Sequence, residues 1–175
     1  MRRIIMVTGG ERSGKSTHAE TLALNLSKRP VYVATARVWD EEFRHRIRRH
    51  QERRGPEWTN IEEEKQLSLH NVGERVVLVD CLTLWTTNYF FDMKDQPLDI
   101  ILQAIKDELE RFLSQNATFI LVTNEIGMGG VPIDPVQRRF TDLLGWVNQY
   151  AASIADEVVL MVSGIPLTIK PSISR

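Results

Sequence analysis

The sequence has very little cysteine, since Cys81 is the only one among 175 residues. A single thiol excludes an internal disulfide and a cysteine-rich zinc site. This cysteine usage is typical of proteins that fold in a reducing compartment such as the cytoplasm. We therefore interpret Cys81 as a small buried residue.

An excess of charge of one sign is also missing. The 22 lysines and arginines nearly balance the 23 aspartates and glutamates, so the formal net charge is −1. Such a chain lacks the overall positive field on which nonspecific nucleic-acid binders depend. We therefore expect no nucleic-acid partner, and any cationic function must be local.

Long hydrophobic runs are lacking as well. No stretch reaches the roughly 18 apolar residues that suggest a membrane-spanning helix. Near the N-terminus, Arg2 and Arg3 precede a short apolar run from Ile4 to Val7, and a run this short predicts no secretory signal. We expect a cytoplasmic protein without a membrane span.

What is present is the patterning of one α/β domain over residues 1–175. Hydrophobic residues make up 42% of the chain and charged residues 26%, which is ordinary globular usage. Short aliphatic runs, typical of strands buried on both faces, alternate with amphipathic segments. This order predicts a mostly parallel sheet with helices on both faces. The predicted strands are 4–8, 31–35, 76–80, 119–124, 158–162 and 167–170, and the predicted helices are 15–28, 40–54, 82–91, 98–114 and 135–155.

A glycine-rich motif follows the first predicted strand and opens the first predicted helix. It matches G-x-x-x-x-G-K-[ST] and reads Gly9-Gly10-Glu11-Arg12-Ser13-Gly14-Lys15-Ser16. Glycines let the backbone wrap closely around phosphate, and the helix N-terminus supplies unpaired N–H groups. Lys15 would reach the β- and γ-phosphates, and Ser16 would ligate Mg²⁺. The strand and helix on either side favour a phosphate-binding loop (P-loop) for a purine nucleotide over an ordinary glycine turn.

Two acidic residues end later strands of the predicted sheet. Asp80 closes the apolar run 76–79, where a carboxylate beside the P-loop can hold Mg²⁺ directly or through water. A turn residue or a cap of the next helix is the alternative for Asp80. Glu125 follows the next strand and is either a base that orients water or a structural residue.

The segment 40–54 is rich in arginine and carries a histidine on its apolar face. Helical spacing puts Phe43, Ile47 and His50 on one face, whereas His45 points away. A neutral imidazole is a competent nucleophile toward phosphorus, and surrounding cations favour the neutral ring. The pattern thus allows covalent nucleotidyl transfer by His50, with a buried structural histidine as the alternative.

Together these segments resemble the bifunctional adenosylcobinamide kinase / adenosylcobinamide-phosphate guanylyltransferase family of cobalamin biosynthesis. The resemblance covers nearly the whole chain and rests on the P-loop and several further blocks. These are Ala34-Thr35, Arg46-Ile47-Arg48-Arg49-His50 with Arg54, Pro56 and Trp58, Asp80-Cys81-Leu82-Thr83, Thr123-Asn124-Glu125-Ile126-Gly127-Met128-Gly129, Val131-Pro132, Val147-Asn148-Gln149 and Ala155-Asp156-Glu157-Val158.

The resemblance implies a RecA-like P-loop fold and a two-step enzyme. The enzyme would phosphorylate adenosylcobinamide with ATP or GTP and then transfer GMP from GTP to adenosylcobinamide phosphate. His50 would carry GMP, Asp80 would bind Mg²⁺ and the subunits would form a homo-oligomer, a trimer by expectation. By the same resemblance, guanine nucleotide would contact the P-loop together with Ala34, Thr35, Ala36, Gln51, Glu52, Arg53, Arg54 and Glu62.

Two other functions are compatible with parts of the sequence. A simple small-molecule or nucleoside kinase would share Lys15 and Asp80 but would have no use for His50. A RecA-like module that binds nucleic acid would use the arginine-rich segment, and the balanced net charge argues against it.

Overall fold

The computed structural model describes residues 1–38, 41, 48 and 54–172, and within them seven strands form one sheet. The sheet order is β3-β2-β4-β5-β1-β6-β7, and every neighbouring pair is parallel except β6 and β7. The strands are β1 (Arg3–Gly9), β2 (Val31–Ala34), β3 (Thr59–Glu62), β4 (Val76–Asp80), β5 (Thr118–Asn124), β6 (Glu157–Val162) and β7 (Ile165–Lys170).

Four α-helices lie wholly within the described ranges, and the last of them shows how local sequence sets the start of a helix. They are α1 (Lys15–Leu26), α2 (Leu82–Asp92), α3 (Leu98–Leu113) and α4 (Pro135–Ile154). At α4, the Asp134 side chain accepts a hydrogen bond from the Gln137 backbone N–H at 2.8 Å, and proline occupies the first turn. This is a favourable helix start, because it satisfies a backbone donor that the helix leaves unpaired. No helix in the described part of the chain is long and apolar enough to cross a bilayer.

The sheet separates two hydrophobic cores, because alternate residues of each strand point to opposite faces. On one face, Ile4 and Met6 of β1 join side chains of α3 and α4. On the other face, Ile5 and Val7 pack in the cluster that contains Ala19 and Ala23 of α1. Both faces of the central strands are thus covered, which accounts for their continuous apolar runs.

The structure corrects the sequence predictions at a few places. The strand β3 was not predicted, because Thr59–Glu62 has no apolar run and lies at the sheet edge. Helix α1 ends at Leu26, two residues earlier than predicted, because Ser27 adopts an extended conformation. The other described helices end within one residue of their predicted ends. The predicted helix 40–54 lies outside the described residues except for positions 41, 48 and 54.

The last two strands form a hairpin, which the prediction of a pairing segment at 167–170 only partly anticipated. Ser163 and Gly164 both have positive φ, 52° and 81°. Two such residues are typical of the tight turn that joins antiparallel strands. Strand β7 therefore begins at Ile165 and runs back along β6.

Candidate functional site

The P-loop lies at the carboxyl edge of the sheet, between β1 and α1. Gly14 has a φ of 90°, so a left-handed residue turns the chain into the helix at Lys15. The loop closes on itself through the Ser13 backbone N–H, which donates to the Gly10 carbonyl oxygen at 3.3 Å. A helix N-terminus that follows such a loop presents backbone N–H groups and a partial positive charge to an anion.

Lys15 is held inside the loop that it follows. Its side chain donates to the carbonyl oxygen of Gly10 at 2.9 Å, and the residue is only 9% exposed. Burial lowers the pKa of Lys15, whereas nearby acidic groups, including Asp80, act in the opposite direction. The ammonium group thus lies within the loop that would receive phosphate.

Ser13 supplies a further observation that fits an anion. Its hydroxyl oxygen is buried and has no hydrogen-bond partner among the described residues. A buried hydroxyl without a partner costs free energy, and a bound phosphate oxygen would remove that cost. Three other loop positions, Gly10, Glu11 and Arg12, are exposed.

Asp80 ends β4, which is separated from the P-loop strand by β5 alone. The phenol of Tyr32 on the neighbouring strand β2 donates a hydrogen bond to Asp80 Oδ2. Burial raises the pKa of Tyr32, and the adjacent Asp80 adds to that shift. The phenol therefore stays protonated at neutral pH and serves as the donor of this pair.

Ser16 and Asp80 have the chemistry of a magnesium site that is completed by nucleotide phosphates. Among the described residues, no group of three or more histidine, cysteine, aspartate and glutamate side chains could hold a metal ion. Mg²⁺ in nucleotide enzymes is bound by one or two protein oxygen ligands together with substrate phosphates and water. One hydroxyl and one carboxylate beside a phosphate loop fit that requirement.

The positions expected to contact nucleotide on β2 and β3 lie level with Asp80. Ala34 pairs in register with Asp80 on one side and with Glu62 on the other. Ala34 and Ala36 are partly buried, and Glu62 is exposed. Thr35 is fully buried, and its hydroxyl donates to the Cys81 carbonyl oxygen at 2.8 Å. The Thr35 side chain thus anchors the turn after β4.

Arg54 is the one described position from the predicted nucleotide contacts 51–54. Its guanidinium lies over the ring of Tyr32, 3.9 Å from the centroid, and donates to Asn60 Oδ1 at 2.7 Å. His50, Gln51, Glu52 and Arg53 lie outside the described residues. The structure brings Arg54, Tyr32 and Asp80 into one contiguous chain of contacts.

Glu125 follows β5 and lies next to the start of the P-loop. Its backbone N–H donates to the Gly9 carbonyl oxygen at 2.9 Å. Its carboxylate accepts from the Gly127 backbone N–H at 3.2 Å, and the residue is partly buried. The backbone contact ties the loop after β5 to the P-loop.

A buried network of polar side chains fixes the carboxyl end of β5. Thr123 Oγ1 donates to Asn148 Oδ1 at 2.7 Å, and Asn148 Nδ2 donates to the Asn124 carbonyl oxygen at 3.0 Å. The hydroxyl of Thr83 accepts from the Asn124 backbone N–H at 2.8 Å. Side chains from α2 and α4 thereby hold the strand end that precedes Glu125.

Sequence reasoning missed two residues that support the site. Tyr32 was counted only as part of an apolar strand, and nothing in its neighbours signals a bond to Asp80, 48 positions later. Gly164 donates its backbone N–H to the Ser13 carbonyl oxygen at 2.9 Å. The dipeptide Ser163-Gly164 between two apolar runs is a turn signal that could have located this turn.

Comparison with known proteins places the whole site within one matched region. The family model for cobinamide kinase / cobinamide phosphate guanyltransferase matches residues 5–169. A bifunctional adenosylcobalamin biosynthesis protein, CobU of Escherichia coli (strain K12), is 41% identical over 182 residues, which cover 95% of this chain and 99% of that protein.

Two further bifunctional adenosylcobalamin biosynthesis proteins are similar over almost their full lengths. CobP of Pseudomonas aeruginosa is 39% identical over 169 residues, covering 94% of this chain and 96% of the relative. CobU of Salmonella typhimurium is 37% identical over 181 residues, covering 95% and 99% respectively.

Solved structures of more distant proteins share the fold. An ATPase from the type III secretion system of pathogenic bacteria has a TM-score of 0.54 at 12% identity, covering 90% of this chain and 50% of that one. A protein of Pyrococcus horikoshii OT3 has a TM-score of 0.53 at 9% identity, covering 98% and 87%. At such identities the likeness concerns the fold alone, and with the mostly parallel sheet it confirms the predicted RecA-like P-loop class.

Proposed function

The chain belongs to the cobinamide kinase / cobinamide phosphate guanyltransferase family, and we propose how its residues carry out the two reactions. It is an enzyme of adenosylcobalamin biosynthesis with kinase and guanylyltransferase activities. In the first reaction, the aminopropanol hydroxyl of adenosylcobinamide receives the γ-phosphoryl group of ATP or GTP. In the second, adenosylcobinamide phosphate receives GMP from GTP, giving adenosylcobinamide-GDP and pyrophosphate.

The observation that carries this assignment of residues is a complete phosphate-binding loop inside the family match. The loop amides and Lys15 bind the triphosphate, and the buried hydroxyl of Ser13 is a further donor to its oxygens. A lysine that is desolvated near a phosphate interacts with it more strongly than one in bulk water. This part of the site serves both reactions, since each uses a nucleoside triphosphate.

In this proposal Ser16 and Asp80 would hold Mg²⁺ together with the phosphates of the nucleotide. When bound, the ion would supply positive charge that offsets the negative charge of the phosphates. Asp80 is kept in place by the Tyr32 phenol, and Ser16 belongs to the first turn of α1. The first turn of α1 and the end of β4 thus position these two side chains.

His50 is the proposed nucleophile of the guanylyl transfer. A neutral imidazole nitrogen attacks the α-phosphorus of GTP, a P–N bond forms, the bond to the β-phosphate oxygen breaks and pyrophosphate leaves. A phosphate oxygen of adenosylcobinamide phosphate then attacks the same phosphorus, the P–N bond breaks, and the histidine is returned. The support for His50 is the match of its segment to the family and its place on the apolar face of the predicted helix 40–54.

Two finer properties are also part of the proposal. The enzyme acts in the cytoplasm, which supplies ATP and GTP, and its subunits form a homo-oligomer, for which the family resemblance suggests a trimer. Light scattering coupled to size-exclusion chromatography measures the subunit number directly.

The test uses GTP labelled with ³²P at the α-phosphorus. Wild type is expected to form an acid-labile, hydroxylamine-resistant GMP adduct, and His50→Ala is expected to form none while binding GTP with nearly unchanged affinity. His45→Ala is the matched control, since helical spacing points it away from His50. Lys15→Ala should impair both the kinase reaction and GMP transfer.

Two outcomes would contradict the proposal at different points. If His50→Ala transferred GMP at the wild-type rate, the covalent step would be wrong. If wild type formed no adduct and transferred no GMP but phosphorylated adenosylcobinamide, the chain would be a kinase without guanylyl transfer.

A further inference from the structure

Tyr32 lies between two parts of the site that the sequence treats separately. It is on β2, is only 2% exposed, and packs in the core on the α1 side of the sheet. From there its hydroxyl contacts Asp80 and its ring face contacts Arg54. We infer that Tyr32 is a positioning residue that orients Asp80 toward magnesium-bound nucleotide and holds Arg54 at the nucleotide site. This inference rests on the proposed function, because Asp80 and Arg54 receive their roles there.

The first contact restricts the carboxylate of Asp80. The phenol donates to Oδ2, so a hydrogen bond fixes the rotation of the carboxylate and leaves Oδ1 for other ligands. Partners that hydrogen-bond to a metal-binding carboxylate orient it in this way, and their loss weakens metal binding. A phenol is well suited to this position, because it donates one hydrogen bond and brings no charge into the core.

The same contact also bears on the interaction between Asp80 and Lys15. Asp80 acts electrostatically on Lys15, and opposite charges attract each other more where water is partly excluded. Without the phenol, Asp80 would be free to turn toward the ammonium group of Lys15. An ion pair between them would compete with the triphosphate for Lys15 and with Mg²⁺ for Asp80.

The second contact fixes Arg54 through the aromatic ring. The guanidinium lies 3.9 Å above the ring centroid, within the range of a cation–π interaction. Trp58 meets Tyr32 edge-on, with the ring centroids 5.5 Å apart and an interplanar angle of 84°, so the ring cannot rotate away from Arg54 easily. Asn60 then binds the guanidinium from the side, at 2.7 Å.

The experiment separates the two contacts with two substitutions at one position. Tyr32→Phe removes only the hydroxyl and keeps the ring, whereas Tyr32→Leu removes both. Binding of GTP is measured by equilibrium dialysis at a series of Mg²⁺ concentrations and again in EDTA. This readout reports on binding alone and does not require either reaction to proceed.

For Tyr32→Phe we expect the half-saturating Mg²⁺ concentration for GTP binding to rise about tenfold. The affinity for GTP in EDTA should stay within about twofold of wild type, because the ring and Arg54 are unchanged. For Tyr32→Leu, binding in EDTA should fall as well, by about three- to tenfold, the range of a cation–π contact. Equal Mg²⁺ dependence in Tyr32→Phe and wild type would overturn the role in orienting Asp80.

A control with the same chemistry exists elsewhere in the chain. Tyr150 donates to Glu110 Oε1 at 2.6 Å, and Lys106 lies over its ring at 5.1 Å. This trio joins α3 and α4, away from the P-loop. Tyr150→Phe therefore removes an equivalent phenol–carboxylate bond and should leave both binding measurements unchanged.

The binding test of Tyr32 can succeed or fail independently of the test for the covalent GMP adduct on His50. If wild type forms no GMP adduct but Tyr32→Phe raises the Mg²⁺ requirement, guanylyl transfer through His50 fails and the role of Tyr32 holds. If the adduct forms normally and Tyr32→Phe binds Mg²⁺ and GTP as wild type does, the role of Tyr32 fails alone. A loss of binding in Tyr32→Leu only in the presence of Mg²⁺ would overturn the contact through Arg54.

Discussion

The backbone N–H of Gly164 donates a 2.9 Å hydrogen bond to the carbonyl oxygen of Ser13, which joins the last hairpin of the sheet to the phosphate loop. The two segments also touch one residue further on, where a Cβ added to Gly14 would lie 3.3 Å from the Gly164 Cα. The turn between β6 and β7 therefore supports the loop from the side. Its own conformation, with positive φ at Ser163 and Gly164, is part of that support.

The contact predicts that Gly14→Ala weakens nucleotide binding. Gly14 has a φ of 90°, a conformation that costs an alanine on the order of 1–2 kcal/mol, and the new methyl group would press on Gly164. If that strain opens the loop, the Kd for GTP should rise about tenfold by titration calorimetry.

The matched control is a glycine with space around it. Gly145 lies within α4, and a Cβ there would meet nothing within 4 Å. Gly145→Ala should bind GTP like wild type and be slightly more stable, because alanine favours helix over glycine by up to about 1 kcal/mol. If Gly14→Ala and Gly145→Ala bound GTP with equal affinity, the P-loop would not depend on its contact with the turn between β6 and β7.

Much of the loop could be predicted from sequence because its geometry is encoded locally. Gly14 supplies the left-handed residue, Lys15 starts the helix, and the apolar run before Gly9 forms the strand. Asp80 could be placed at the carboxyl end of a strand for the same reason, since it ends an apolar run.

The contacts of Tyr32 could not be predicted, because they depend on which strands become neighbours. The order β2-β4 puts Tyr32 beside Leu78 in register, and from there its hydroxyl reaches Asp80. The pairing of β2 with β4 cannot be predicted from a single sequence. The strand β3 was missed for a related reason: at the edge of a sheet, half-exposed polar residues pair through their backbone and need no apolar run.

We predict that Cys81 is inert toward thiol reagents in the folded protein. Burial, and then the nearby charge of Asp80, raise the pKa of Cys81 to about 12. Only the thiolate reacts, so labelling by a disulfide reagent at pH 8 should be slow without denaturant and complete in urea.

A second thiol provides the comparison for accessibility. Ser114 is exposed at the end of α3, so Ser114→Cys should gain one rapidly labelled thiol per chain in the folded state. Fast labelling of wild type would mean that the turn after β4 opens readily, against the buried position of Cys81.

We predict a pH-dependent contribution to stability from Asp92. Arg37 donates to its carboxylate at 2.7 and 3.1 Å and Lys65 at 3.0 Å, and these hydrogen bonds hold the pKa of Asp92 well below its ordinary value. A depressed carboxyl pKa stabilises the folded state above the ordinary pKa, and this stability is lost as the pH falls through the folded-state pKa.

Asp92→Asn should therefore be less stable than wild type at pH 7, by less than about 1 kcal/mol because the cluster is near solvent. The difference should shrink as the pH falls below about 4. Urea unfolding at several pH values measures it, with the exposed Asp95→Asn as control. A difference that is as large at pH 2.5 as at pH 7 would contradict an electrostatic origin.

Trp58 contacts Tyr32 edge-on, and its indole is therefore an intrinsic fluorophore beside the proposed nucleotide site. Trp58 is 8% exposed, so its emission reflects its protein neighbours more than the bulk solvent. A nucleotide that binds beside Arg54 and Tyr32 would change the electric field at the indole, and with it the wavelength or yield of the emitted light. Binding of GTP is therefore expected to change the Trp58 contribution to the emission of the four tryptophans, without a dye attached to the chain.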